Sequence, residues 1–308
     1  MKINKKFNLQ AFAAGDNNDL SARMYQKDFK ELLQAVFAKQ AYFADFFGGK
    51  IEALDGVQEK DTAFYVKTSD IPVVVGSEYS KDANVGMGTG TGKSSRFGER
   101  KEIVYVDTPV NYTWGWVIHE GIDRHTVNND FEAAIADRLE LHARAKTAQF
   151  NVKHGAFISG AATKTVAGGA TITKDNVADV FAQLDAHFTN IEAVGTRIAK
   201  VNATVWNAII DSGLTTSAKG SGVNVDANTI DGFKGFRVEK IPASMFQTKE
   251  VVYAYIENVG KAFTGIETAR TIESEDFDGV ALQGAGKAGE YILPDNKKAV
   301  AKVTVTGA

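Results

Sequence analysis

Apolar residues recur along this chain with two periods, and the places where the period changes divide it into parts. From Ser21 the positions Tyr25, Phe29, Leu32, Leu33, Val36 and Phe37 repeat at helical spacing. That predicted helix ends in an aromatic cluster, Tyr42, Phe43, Phe46 and Phe47, stopped by Gly48-Gly49, and such density reads as core packing first and a subunit interface second. Ahead of it residues 1–20 read as an extended polar arm. Alternating β-rich runs then appear at 63–67, 71–75 and 101–106, with a polar, glycine-rich tract between the last two. A second helical period, the longest in the chain, is predicted from about Asp130 to Phe157. Its apolar stripe is Phe131, Ala134, Ile135, Leu139, Leu141, Ala145, Ala148 and Val152.

Beyond a Gly/Thr-rich turn at 160–169 the elements become short and mixed. Thr173 is placed as the cap of a helix carrying Val177, Val180, Phe181, Leu184 and Phe188. A strand at 197–201 leads into a helix from Asn202 with Val205, Trp206, Ile209 and Ile210, and a Gly/Ser/Asn-rich loop covers 215–228. Strands are predicted at 236–241, 250–256, 268–272, 280–282, 290–293 and 298–305. Strands and helices that do not alternate regularly indicate an α+β chain.

The tract from 62 to 110 carries the most information. Hairpin loops usually take two to five residues, and a structureless loop of roughly 20 inside a compact domain is uncommon. A lone two-stranded ribbon is marginally stable in water. An arm of this kind is expected to find its missing surface on another subunit. Phe64, Tyr65, Val74, Tyr79, Arg96, Phe97, Arg100 and Tyr105 are its candidate intersubunit contacts. Trp114 and Trp116 join them from the strand-like run 110–118, where their spacing of two puts both indoles on one face, packed or in subunit contact.

Composition narrows the chemistry. The chain has 308 residues, enough for one elaborated domain or two subdomains. Its net charge of −3 gives no strong basic field for sequence-specific nucleic-acid binding. Cysteine is absent, which removes disulfides, thiol catalysis and thiolate metal sites. The N-terminus lacks the apolar core of a secretory signal, and no run of 18 apolar residues could span a membrane.

The candidate motifs fail on spacing. Gly88-Thr-Gly-Thr-Gly-Lys-Ser94 looks like a phosphate loop, but the motif requires its first glycine at position 87, which is Met87. A helix should also open at Lys93, where a β-rich run follows instead. His119 and His125 stand six apart in His-Glu-Gly-Ile-Asp-Arg-His, so they miss the i, i+4 spacing of a zinc helix. His142 and His154 are twelve apart on the long helix, about 18 Å along its axis. The acidic run 273–278 reads as a solvated turn. No catalytic, cofactor or metal residues are assigned.

One resemblance brings these parts together. The order is arm, helix, extended ribbon, long strut helix, α/β module and terminal β segment. With it stand the runs Tyr253-Ala-Tyr-Ile-Glu-Asn-Val-Gly260, Phe263 to Gly284 and Gly289-Glu-Tyr-Ile-Leu293. Together they resemble the major capsid proteins of tailed bacteriophages, of the Hong Kong 97-like fold, and in particular those of siphophages of Gram-positive cocci and lactic bacteria. The resemblance implies an N-arm at 1–20, an N-terminal helix region at 21–55 and an extended β-hairpin loop at 56–110. It implies a peripheral domain at 111–169 with the spine helix at 130–157, an axial domain at 170–262, and a C-terminal β segment of the peripheral domain at 263–308. It further implies self-assembly as hexamers and pentamers into an icosahedral head round double-stranded DNA, with a portal, a separate scaffolding protein or none, and nonspecific contact with the DNA. The product would be a virion assembled in the bacterial cytoplasm, with no enzymatic activity and no membrane partner. A phosphate-binding enzyme using Gly88–Ser94, or a tail component of the virion, are the competing expectations.

Overall fold

The structure, a computed structural model, describes residues 41–49, 51–54, 62–68, 102–127, 130–212, 223–224, 229–230 and 232–307, with single positions 73, 75, 79, 96 and 97. The arm at 1–20, the helix expected from Ser21, and the Gly88–Ser94 motif lie outside the described residues, as do Val74 and Arg100.

Asp130 begins the longest helix by accepting a hydrogen bond from the Ala133 N–H, which satisfies one of the donors left open at a helix start. Helix α1 then runs Phe131–Ala161, four residues past the expected end. Its burial differs from the predicted stripe. Leu139 and Val152 are 45% and 44% exposed, while Phe150, Asn151, His154, Gly155, Ile158 and Ala161 are buried. The helix is therefore anchored by its C-terminal third.

Two sheets flank it. The first has the order β1 (Ile51–Leu54), β11 (Gly260–Glu273), β12 (Gly279–Ile292) and β4 (Trp114–Asp123). Its centre is one long hairpin of two 14-residue strands, where the sequence predicts only short pieces. Glycines explain the difference. A Cβ on Gly286 would lie 2.7 Å from the Trp116 indole nitrogen, and one on Gly289 would lie 2.7 Å from the Phe263 ring. These glycines read as strand breakers, yet here they are seats for aromatic rings on neighbouring strands.

The second sheet has the order β5 (Lys164–Ala167), β13 (Val300–Thr304), β10 (Glu250–Ile256), β6 (Arg197–Val201) and β9 (Arg237–Lys240). Within the segment expected at 263–308, β13 leaves the sheet of β11 and β12 to pair between β5 and β10. Strand β10 is buried on both faces. Val252, Ala254 and Ile256 meet helices α2 (Val177–Asn190) and α3 (Ala203–Asp211) through Phe181, Leu184, Phe188, Trp206 and Ile209. Tyr253 and Tyr255 face the other way, into a core with Phe43, Phe46, Phe47 and Ile158. Phe43 and Phe46 are fully buried, so the 42–47 aromatic cluster is core, as its density predicts. It lies in turns here, with no helix among the described residues 41–49.

Thr173 does not cap α2. The helix starts four residues later, and Asn176 reaches back to accept a hydrogen bond from the Thr173 N–H at 2.8 Å. Asn202 does cap α3, accepting from the Val205 N–H at 2.9 Å. A short pair, β7 (Val223–Asn224) with β8 (Thr229–Ile230), interrupts the expected 215–228 loop.

Candidate subunit-contact surfaces

The ribbon is built from β2 (Thr62–Thr68) and β3 (Val106–Asn111), paired antiparallel from Thr62↔Asn111 to Thr68↔Val106. The run expected at 101–106 therefore enters the ladder only at its last residue, and the pairing strand lies C-terminal to it. The ribbon's base is tied down. Ala63 and Val110 are buried with Phe263, and Phe64 packs edge-on against Phe263 and Tyr291 at ring distances of 5.2 and 5.9 Å. Away from the base burial stops. Tyr65 is 53% exposed, and Ile103, Val104, Tyr105 and Val106 are each more than half exposed. Of the remaining expected contact residues, Tyr79 and Phe97 stack edge-on at 5.0 Å while both stay exposed, and Arg96 is half-buried. The subunit thus leaves a run of consecutive apolar residues in water where the chain enters the ribbon, and contiguous exposed apolar surface is a feature of contact sites.

Trp114 and Trp116 are placed differently. Both lie on the face of β4 that meets α1, where Trp114 packs edge-on against Phe150 at 4.7 Å. Lys153 and Lys146 lie over the Trp114 and Trp116 rings at 5.8 and 4.4 Å. Within the subunit these indoles form the packed face that their spacing of two allows.

Charged side chains fix α1 to the first sheet at two levels. Near its middle, Glu120 of β4 accepts from Arg138 Nη2 at 2.6 Å and stands 2.6 Å from His142 Nε2. Its carboxyl is held down at about 2, chiefly by the Arg138 hydrogen bond, with burial opposing and His142 reinforcing. A depressed carboxyl contributes stability above its unfolded value, about 4.5, and that contribution disappears as pH falls through about 2. Glu120→Gln should therefore destabilise the protein at neutral pH, and its deficit should close between those two values. Denaturant midpoints across that range check this, and a deficit that stays constant with pH would contradict it.

Lower on the helix, buried His154 contacts Glu290 through Nδ1 at 3.0 Å, and Glu290 also accepts from the Trp114 indole and the Thr113 hydroxyl. A separate cluster, Glu250 with Lys302, Tyr253 and Ser159, ties the helix end to the second sheet. Burial raises the Glu250 carboxyl, but the hydrogen bonds from Lys302, Tyr253 and Ser159 outweigh it and leave the net shift downward. Burial, with the bond to Glu250, pushes the Tyr253 phenol up. These groups are paired, structural and lie between elements. His119 and His125 contact Gln283 and Asp278, and among the described residues no group of three or more ligating side chains gathers.

The sequence pattern did not reveal the network round Asp45. Lys200, 2% exposed in its side chain, meets Asp45 Oδ2 at 2.8 Å and also pairs with Glu239. Tyr255 donates its hydroxyl to Asp45 Oδ1 at 2.9 Å, and Arg237 reaches Oδ2 at 3.3 Å. The residues come from a turn and three strands, so no local motif announces them.

No family model matches the chain, and no curated protein matches its sequence. Solved structures do match over nearly the whole length. One from Mycobacterium phage Che8 is 17% identical, covers 94% of this chain and 96% of its own, and superposes with a TM-score of 0.66. The mature capsid of bacteriophage PhiM1 gives 11% identity, 96% and 95% coverage and a TM-score of 0.66. The capsid of the cyanophage P-SCSP1u gives 10% identity, 94% coverage of both chains and a TM-score of 0.68. The chain thus has the α+β, Hong Kong 97-like fold shared with these phage capsid structures.

Proposed function

We propose that this chain is the major capsid protein of a tailed bacteriophage, assembling as hexamers and pentamers into an icosahedral head that encloses double-stranded DNA. The carrying observation is the exposed apolar run 103–106 at the entry to a two-stranded ribbon, on a subunit whose fold matches capsid structures over 94–96% of the chain. In this reading the second sheet with α2 and α3 is the axial domain, α1 with the first sheet is the peripheral domain, and residues 1–20 are the N-arm. Hydrophobic burial between copies drives assembly, and exposed charges set its register and salt dependence. The role is structural and not catalytic. The partners are further copies of the chain, a portal, a separate scaffolding protein where one is used, and the packaged DNA through nonspecific contacts. No described helix is long and apolar enough to cross a membrane. In this reading the chain is a virion component assembled in the bacterial cytoplasm.

Sedimentation velocity of the full chain, alone and coexpressed with its scaffold, tests the reading. Fast-sedimenting particles are expected. Only subunit-sized material at every concentration would contradict it.

A further inference from the structure

Two lengths of this subunit are ready to form a sheet and have no strand partner among its described residues. The first is the outer edge of β4. It is ten residues long, it pairs with β12 in an unbroken register from Asp123 to Trp114, and among the described residues nothing pairs with its other side. Proteins usually protect such edges with proline, lysine, bulges or short length. The other described edges show this: β1, β5 and β9 have four residues each, and β3 carries Pro109. Strand β4, Trp-Gly-Trp-Val-Ile-His-Glu-Gly-Ile-Asp, has none of these devices. The second length is Glu102-Ile-Val-Tyr105, which has strong β propensity, is exposed throughout and joins no strand among the described residues.

Their side chains match in one antiparallel register. Opposing Glu102 with His119 places Ile103 by Ile118, Val104 by Val117, and Tyr105 by Trp116. Val117 is 77% exposed and Val104 56%, so the central pair covers two apolar residues that the subunit leaves in water. The polar pair also fits. Arg270 donates to Gln283 at 2.8 Å, and Gln283 faces His119 Nε2 at 3.3 Å across the same side of the sheet. With the Gln283 amide donating to Nε2, the ring proton sits on Nδ1 and can be given to a carboxylate. A slip of one residue in either direction would turn Glu102 toward Ile118 or against Glu120.

We propose that residues 102–105 of one copy add as a strand to the β4 edge of a second copy, with Glu102 opposite His119 and Val104 opposite Val117. The inference rests on the capsid reading and specifies one contact within it.

The absence of cysteine gives a clean background for the test. The full chain carrying Val104→Cys and Val117→Cys is assembled and treated with a short bis-maleimide, which adds one cysteine thiol at each end. A ladder of covalently joined subunits is expected, and none with Val104→Cys alone. Val104→Pro should give subunits with unchanged circular dichroism and no particles, because residue 104 joins no strand among the described residues. Glu102→Lys should reduce particle yield, and His119→Glu should restore it. Particles that form without the ladder, or that tolerate Val104→Pro, would overturn the strand pairing and leave the capsid reading intact. No oligomer of any size from the unaltered chain would overturn both.

Discussion

Asp45→Ala is expected to lower the unfolding free energy by about 3 kcal/mol, the lower part of the roughly 3–5 kcal/mol range for breaking a buried ion pair. The effect is large because the Lys200 side chain is 2% exposed, so water cannot replace the buried carboxylate that the substitution removes. Glu239 still contacts Lys200, and at 40% exposure it offsets part of the loss, which sets the expectation at the lower end. The Tyr255 hydroxyl and the Phe46 N–H lose an acceptor in the same step. Burial first, then the charge of Asp45, pushes the Tyr255 phenol well above its ordinary value, so it remains a donor at any working pH. Urea unfolding measures the change. A loss below about 1 kcal/mol would mean that the site is solvated and behaves as a surface pair. The consequence goes beyond stability, because the 41–49 segment holds the two sheets in one core through Phe43, Phe46 and Phe47.

The second large effect concerns assembly and not folding. Removing Lys81 to Ser95 and closing the gap with a short linker should leave the subunit's melting curve within about 0.5 kcal/mol of the parent. No described residue between 73 and 105 enters any of the three hydrophobic cores. Particle formation, in contrast, should be lost or should give particles of the wrong size. Sedimentation separates the outcomes, and particles of normal size would remove residues 81–95 from the assembly mechanism.

Local signals account for what was legible in the sequence. Asp130 and the long period that follows announce α1, and Asn202 announces α3, because caps and periodicity act within a few residues. The 42–47 aromatics were readable as core for the same reason. What escaped depends on partners far away in the chain. Gly286 and Gly289 become strand positions only because Trp116 and Phe263 lie across them. Strand β13 belongs to the second sheet through β5 and β10, a choice its own alternation cannot encode. Leu139 and Val152 follow helical spacing but remain exposed on the subunit, so their apolar character looks outward. The ribbon is legible as two β-rich flanks, while its ladder lies C-terminal to the expected run because 101–106 has better β propensity than the proline-bearing 106–111.

Negative-stain electron microscopy of the purified full chain, expressed alone and with its scaffold, tests the central claim most directly. Closed, roughly isometric shells built of repeating capsomers are the predicted result. Rods, isolated rings, or single subunits at every concentration would contradict it.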